Sequence, residues 1–210
     1  MARINVNPTR MELNKLTARL KTATRGHKLL KDKTDEMIRR FSVIIRENKR
    51  LREDVENEIK TALSQFSVAR SLMSEPEVKL AFSMPSVSVD LSCETENIMS
   101  VTVPRLTLSE NRSGEKFPYA FTEITSEADK SVELMGKTLV KLVKLAEVEK
   151  TAAMLADEIE KSKRRVNALE YIMIPDIEET IKYISMKLEE NDRSSRTRLM
   201  KVKTMISERS

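Results

Sequence analysis

Turn-forming and aromatic residues are scarce in this chain. Its 210 residues include three glycines, six prolines and no tryptophan, and aromatic side chains make up 4%. A compact globule takes much of its core bulk from aromatic side chains, and its many turns require glycine and proline. With charged residues at 34% and abundant Lys, Glu, Leu, Ile and Met, the composition instead favours long helices with narrow apolar seams.

Cysteine and histidine are too few for several kinds of site. Cys93 is the only cysteine and His27 the only histidine, so neither a disulfide within the chain nor a transition-metal site is expected. The N-terminal residues lack the apolar core of a signal peptide, and no window approaches ~18 uninterrupted apolar residues. We therefore expect no direct membrane insertion, no catalytic residue, no cofactor and no metal.

The net charge of +5 is concentrated at the two ends of the chain. Residues 1–31 hold eight lysines and arginines against one acid, and residues 182–210 hold eight against four. If the two ends lie side by side, they form one basic tip that suits an acidic partner. The expected tip residues are Arg10, Arg19, Lys21, Arg25, Arg193, Arg196, Arg198, Lys201 and Lys203.

Residues 1–73 predict a first coiled-coil helix. Asn7-Pro8-Thr9 is typical of a helix start, and apolar residues then follow a heptad frame through Leu13, Leu16, Leu20, Leu30, Met37, Ile44 and Leu51. Beyond Leu51 we expect Ile59, Leu63 and Phe66 to replace one column of this frame, which indicates a stutter.

Residues 74–122 form a different, middle region that holds four of the six prolines. Two runs of alternating apolar and polar residues flank the polar stretch Glu94–Asn97 and predict a β-hairpin with a loop there. A second loop is expected at Asn111–Lys116. The apolar positions of the hairpin are Val87, Val89, Leu91, Met99, Val101 and Val103.

Residues 123–210 predict a second coiled-coil helix. Its seam runs through Leu145, Val148, Ala152, Leu155, Ile159, Val166, Leu169 and Met173, and then through Ile177, Ile181, Ile184, Leu188, Leu199, Val202 and Ile206. Pro175 should kink this helix without ending it. We expect a mainly α fold, in which the two long helices form an antiparallel coiled coil with residues near Leu20 beside residues near Leu199.

Two local motifs have ordinary structural interpretations. Met135–Thr138 resembles the end of a phosphate-binding loop, but Ser131 stands where that loop requires glycine, so a solvated helix face is the preferred interpretation. His27 falls in the seam, where a lone histidine is more often packed or hydrogen-bonded than catalytic.

Several longer stretches resemble the D subunit of the vacuolar/archaeal-type ATPases. Val6–Leu13, Arg25–Lys33 and Arg39–Phe41 are similar to that family's N-terminal signature. The C-terminal signature is matched by Leu145–Lys150, Arg164–Tyr171, Ile174-Pro175 and Thr180–Ile184. Both long segments are covered, whereas the middle region matches only in character.

The resemblance implies a non-catalytic central rotor shaft on the cytoplasmic side of a membrane. Its partners would be a hexameric head of alternating A and B subunits, a small F subunit of the central stalk, and the socket subunit of the membrane rotor ring. Such a shaft couples ATP hydrolysis or synthesis in the head to H⁺ or Na⁺ transport, and the family's hairpin is regulatory. The basic tip would contact the head.

Three alternatives remain open at this point. A prefoldin-like chaperone also joins two helices through hairpins, but the helix ends here are basic where its client-binding ends are apolar. A nucleic-acid-binding coiled coil would explain the basic tip, although no aromatic residue is present there for stacking on bases. The third alternative is a purely structural scaffold.

Overall fold

The computed structural model describes residues 4–82, 87–112 and 125–209. In chain order these residues form α1 (Arg10–Leu72), α2 (Glu75–Ala81), β1 (Val87–Ile98), β2 (Val101–Arg112), α3 (Ser126–Ala168), a π-helical segment (Leu169–Met173) and α4 (Ile174–Arg209). Searching these residues finds no helix long and apolar enough to cross a membrane. The chain divides into two compact units, one of Met1–Glu36 with Ile159–Ser210 and the other of Met37–Glu158.

In the first unit, the start of α1 packs antiparallel to α4. Arg10 pairs with Asp192 at 3.0 Å, whereas His27, farther along α1, pairs with Glu170 at 3.2 Å, so partner numbers fall as α1 numbers rise. Thr9 begins the helix, because its hydroxyl accepts the Glu12 N–H at 3.2 Å and its carbonyl accepts the Leu13 N–H. The helix start predicted at Asn7-Pro8-Thr9 is confirmed.

The core of this unit is small and continuous. Leu16, Ile177 and Ile184 are almost fully buried, and half-buried apolar residues surround them. These neighbours are Ile4, Val6, Leu13, Leu20, Ile181, Tyr183 and Leu188. The segment before α1 joins the core because the Ile4 N–H donates a hydrogen bond to Thr180 at 3.2 Å.

The predicted neighbourhood of Leu20 and Leu199 is wrong. Leu20 packs beside Ile177 and Ile184, whereas Leu199 is 69% exposed. The register explains the difference, since Arg10, the first residue of α1, already lies opposite Asp192. Residues 189–208 are all exposed, and those after Asp192 lie beyond the level of Arg10, where α1 begins.

The second unit contains the rest of the helix pairing. Arg52 of α1 binds Glu149 of α3 at 2.6 Å, and Glu58 binds Lys141, so this pairing is antiparallel as well. Val55, Ala62 and Ala69 continue one column of the heptad frame and are buried. Of the three residues predicted to replace the other column, Ile59 and Phe66 are half-buried, whereas Leu63 is 52% exposed, so the prediction is wrong at Leu63. The mainly α class with antiparallel helix pairing and a small hairpin is confirmed.

Polar residues hold part of this seam. Thr138 is fully buried, and its single hydroxyl proton is shared between the Leu134 carbonyl at 2.8 Å and a Glu58 oxygen at 3.3 Å. The hydrogen bond from Lys141, with that of Thr138, lowers the pKa of Glu58 below its usual range. Glu58 can therefore stay ionised at a half-buried seam position.

The hairpin is longer than predicted and turns later. β1 and β2 pair antiparallel from Val87 with Arg112 to Ile98 with Val101. The prediction of a loop at Glu94–Asn97 is therefore wrong, because these residues belong to β1. The turn is Met99-Ser100, with φ of 54° and 71°, and Asn97 accepts the Ser100 N–H at 2.8 Å. Polar strand residues are tolerated because Ser88–Asn97 is exposed throughout.

The structure also differs from the predictions at Met99 and at the start of the second expected loop. Asn111 and Arg112 of the second expected loop belong to β2, whereas residues 113–116 of that loop lie outside the described residues. Met99 was expected in a strand but lies in the turn, where it is half-buried.

The seam of α3 and α4 changes phase at the π-helical segment. Leu155, Ser162 and Leu169 are seven residues apart, as are Ile177 and Ile184, but the step from Leu169 to Ile177 is eight. One extra residue is therefore accommodated between them. The π-helix does so, because the Ile174 N–H bonds to the Leu169 carbonyl five residues back.

Pro175 explains why the π-helical segment lies at this place in the helix. In an α-helix its ring would clash with the Tyr171 carbonyl, and it has no N–H to donate. Widening the preceding turn relieves the clash, so the helix passes Pro175 without ending, as predicted. Met173, predicted in the seam, is instead 40% exposed because the seam has already moved on.

The register of the first unit predicts that the buried Ile184 contributes to stability and that the exposed Leu199 does not. Ile184→Ala should lower the free energy of unfolding by about 2–5 kcal/mol, since it leaves a cavity in a closed core. Leu199→Ala should change it by less than ~0.5 kcal/mol, because that side chain is already exposed. Urea unfolding of both variants checks this, and equal losses would contradict the register.

The extra residue predicts an unusual tolerance to deletion. Removing Ile172 together with Pro175→Ala should make the helix continuous, because Leu169 and Ile177 are then seven residues apart, and the Tm should not fall. Deleting the exposed Arg19 is the matched control. It breaks a regular seam beside Leu16 and should lower the Tm by about 3–10 °C. A comparable drop in both variants would show that the phase shift is not stored in the π-helix.

Candidate interaction surfaces

The described residues offer surfaces more than enclosed sites. They contain no group of three or more His, Cys, Asp or Glu side chains arranged to hold a metal ion. Two open hollows of about 140 and 240 Å³ lie in the second unit. Both are smaller than the ~300–1,000 Å³ of ordinary ligand pockets. The features that could contact a partner are therefore the free end of α4, the π-helical segment, the outer face of α3 and the hairpin.

The free end of α4 combines charge with an uncovered apolar stripe. Leu199, Val202 and Ile206 are 69%, 51% and 61% exposed and keep the spacing of a coiled-coil seam. No acid occurs from Arg193 to Lys203, and the five cations of this stretch make no ion pair with any described residue. These cations are Arg193, Arg196, Arg198, Lys201 and Lys203. This surface can attract an acidic partner at long range and bury apolar side chains on contact.

The structure does not gather all nine predicted tip residues together. Arg10 is neutralised by Asp192 next to the free end of α4, but Arg19, Lys21 and Arg25 lie farther along α1, toward the level of Glu170. From Arg10 to Arg25 the helix rises by about 22 Å. The positive charge of the first unit is therefore a strip along the helix pair, and the expectation of a single tip is wrong in this respect.

His27 is a cross-helix contact. Its side chain is 18% exposed, and Nε2 lies 3.2 Å from a Glu170 oxygen at the start of the π-helical segment. The sequence-based interpretation of a hydrogen-bonded seam histidine agrees with this geometry. Next to it, the phase shift leaves three successive apolar residues on the surface, and this ridge was missed because a fixed heptad was extended through it. They are Tyr171, Ile172 and Met173, at 69%, 62% and 40% exposure.

α3 carries a second apolar face that sequence reasoning also missed. Met135, Leu139 and Val140 are 38–48% exposed, although the seam of α3 runs through other residues. The signal was present, since this stretch is apolar on more than one side. The phosphate-loop-like Met135–Thr138 lies here: Gly136 and Lys137 are solvent-exposed as expected, but Thr138 is buried in the seam, so the solvated-face interpretation is wrong for that residue.

The hairpin presents its two strands differently. Val101 and Val103 of β2 are 9% and 3% exposed, whereas Val89 and Leu91 of β1 are 39% and 55% exposed. The N–H of Leu106 in β2 donates a hydrogen bond to Glu147 of α3 at 2.8 Å. β2 therefore packs on the helices of the second unit and β1 faces solvent.

Comparison with known proteins identifies the family. The sequence model of the ATP synthase D subunit matches residues 12–204. The V-type ATP synthase D subunit of Clostridium novyi (strain NT) is 54% identical over 209 residues, which cover 98% of this chain and 97% of the relative. The proteins of the same name from Thermoanaerobacter sp. (strain X514) and Clostridioides difficile (strain 630) are 52% and 53% identical. These alignments cover 98% of this chain in both cases, and 99% and 93% of the relatives. The resemblance found in the N- and C-terminal signatures is thereby confirmed, and the chain belongs to the D-subunit family of ATP synthases.

Proposed function

We propose that this chain is the non-catalytic central rotor shaft of a V-type ATP synthase. It couples ATP hydrolysis or synthesis in a head of A and B subunits to H⁺ or Na⁺ transport through a membrane ring. It acts from the cytoplasmic side as a peripheral subunit. The proposal is supported by family membership and, in the structure, by one observation above all: α4 continues past the start of α1 as an exposed, basic, partly apolar helix.

A shaft must transmit torque, and paired helices resist twisting better than a single helix. In the first unit the seam closes around Leu16, Ile177 and Ile184, and in the second unit α1 and α3 are joined along a regular heptad frame. Exposed ion pairs such as Arg52–Glu149 contribute at most ~1 kcal/mol each. The buried seam therefore supplies most of the stiffness on which the proposal depends.

The free end of α4 suits a contact that must be made and broken on every rotation. Its five cations attract acidic groups over about 8–10 Å without fixed geometry. Its apolar residues are spaced along one helix and do not form a deep knob. We place the contact with the catalytic head here, with Arg10, Arg19, Lys21 and Arg25 as its continuation along α1. We propose no particular residues for the contact with the socket subunit of the membrane ring.

We divide the chain into three parts, 1–73, 74–122 and 123–210, and propose a role for each. The first and last parts form the shaft, and the middle part carries the regulatory hairpin. The apolar positions of the hairpin are Val87, Val89, Leu91, Met99, Val101 and Val103. We place the small F subunit on the outer face of α3 near Met135 and Leu139, because these apolar side chains are uncovered in the second unit. Neither a chaperone nor a nucleic-acid-binding function finds support among the relatives.

Reversing charge on the free end of α4 should weaken assembly. The triple variant Arg193→Glu, Arg196→Glu and Arg198→Glu should bind the A and B head about tenfold more weakly at low salt, and the deficit should shrink as salt screens the charges. Co-purification and titration of the head with labelled shaft measure this. Unchanged binding and unchanged coupling at low salt would contradict the assignment.

A matched triple variant controls for net charge. Lys60→Glu, Lys144→Glu and Lys150→Glu make the same change in charge at exposed positions of the second unit. This variant should bind the head as the wild type does. Binding of wild-type chain to bare duplex DNA that weakens steeply with salt, without capture of the head, would instead support the nucleic-acid alternative.

Removing the hairpin should separate folding from regulation. Replacing Val87–Arg112 by a flexible Gly/Ser linker should leave the helices intact, because the hairpin contributes few buried residues, but should alter the ATPase rate of the assembled complex. Circular dichroism and a thermal melt report the first effect and steady-state ATPase the second. Loss of the whole fold would contradict the prediction.

A further inference from the structure

The turn end of the hairpin touches both long helices of the second unit. It covers a hollow of about 140 Å³ to which α1 contributes Ile44 and Glu47 and α3 contributes Glu147, Val148 and Thr151. From the hairpin, Ile98 and Val103 line the same hollow, and Val103 is almost fully buried. This end of the hairpin therefore joins α1 to α3 at a point far in sequence from the hairpin's own connections.

The length of the strands fits this span. At the base, Phe82 packs edge-on against Phe66 of α1, with ring centroids 5.5 Å apart. From Phe66 back to Glu47, α1 covers about 29 Å. Each strand has 12 residues and reaches at most about 40 Å. The hairpin is therefore long enough to return along the helix pair and close on it.

The closure depends on few interactions. In an antiparallel pair, successive residues alternate between N–H groups that face the partner strand and N–H groups that face away. The Leu106 N–H faces away from β1 and bonds to Glu147 at 2.8 Å, which is a charge-assisted contact between hairpin and helix. Beyond the buried valines, Ser88–Asn97 is exposed. Regions with few buried contacts open at lower cost than the core.

The turn end of the hairpin combines a tight turn with a hollow lined by carboxylates. Met99 and Ser100 adopt positive φ, which disfavours residues with a Cβ. Three carboxylates, Glu47, Glu96 and Glu147, line the small hollow beneath them. Glu96 pairs with Arg105 at 3.9 Å and Glu147 accepts the Leu106 N–H, so charged and polar contacts, more than buried apolar area, hold this end of the hairpin.

We propose that the turn end of the hairpin is a clasp that joins α1 to α3, and that its opening is the conformational change by which the hairpin regulates the shaft. The closed clasp limits relative movement of the two helices at the level of Glu47 and Glu147. The open clasp frees β2 and uncovers the apolar surface under Val103. The regulatory half of the proposal depends on the proposed function, whereas the clasp itself does not.

Amide hydrogen exchange on the isolated full-length chain tests the clasp. The Leu106 amide has Glu147 as its partner and should be protected in the wild type. Glu147→Ala should speed its exchange at least tenfold, while the Thr107 amide, which faces β1, stays within twofold. Glu149→Ala is the matched control, because Glu149 bonds to Arg52 of α1 and not to the hairpin. Equal protection of Leu106 in wild type and Glu147→Ala would overturn the clasp.

A reversible cross-link tests regulation in the assembled complex. Val103→Cys and Thr151→Cys, placed in a Cys93→Ser background, should oxidise to a disulfide that holds the clasp closed. Reduction should then change the ATPase rate at least twofold, and a variant without the second cysteine should not respond. Failure to oxidise would contradict the contact, and an unchanged rate would overturn the regulatory role.

The two kinds of failure are distinguishable. If the chain did not assemble with A and B subunits, the proposed function would fail, yet the exchange of the Leu106 amide would still report whether the clasp closes. If the chain assembled and coupled normally while Leu106 exchanged freely in the wild type, the proposed function would stand and the clasp would not.

Discussion

The register of helix pairing decides most of what this chain presents to partners. Antiparallel helices that meet at Arg10 and Asp192 leave the residues of α4 after Asp192 with no part of α1 to pack against. A shift of one heptad would bring Leu199 to the level of Arg10 and cover part of the apolar stripe of α4. Because Leu16, Ile177 and Ile184 interlock in one core, the register cannot slide without opening a cavity. The uncovered end of α4 is therefore a consequence of packing elsewhere in the first unit.

Seam composition explains why stability and partner binding are separated along the chain. In the second unit Met37, Val55 and Leu155 fill part of the seam, whereas the stretch with Ala62, Ala69 and Thr138 uses small or polar residues that bury little apolar area. Large apolar residues such as Leu63 and Met135 lie outside it, partly exposed. A helix pair that buries little apolar area in its own seam and exposes apolar residues on its outer face gains more free energy from binding a partner than a pair whose apolar residues are already buried. This composition is what supports a seat for a small stalk protein there.

Sequence reasoning succeeded where one periodicity held and failed where it changed. The heptad of α1 placed Leu16 and Met37 correctly, because a regular helix carries its phase forward. It failed at Leu63, since a column was chosen by apolar content when Glu58 could hold its place with Lys141. The hairpin turn was misplaced because an exposed ribbon imposes no alternation on residues such as Glu94. The spacing of apolar residues along the sequence can show that the seam shifts by one residue. The position of the shift follows only from the structure, which has the π-helical segment there.

Rotation adds a requirement that folding alone does not impose. Stiffness favours continuous, well-packed seams, whereas contact with a surrounding ring favours surfaces that are charged, broad and easily released. The chain meets both requirements by separating them: cores such as that around Ile184 are closed, while the cations from Arg193 to Lys203 make no ion pair with any described residue. The clasp at Glu147 belongs between these extremes, since one charge-assisted bond and two valines hold it. A contact of that strength can change state without unfolding the helices it joins.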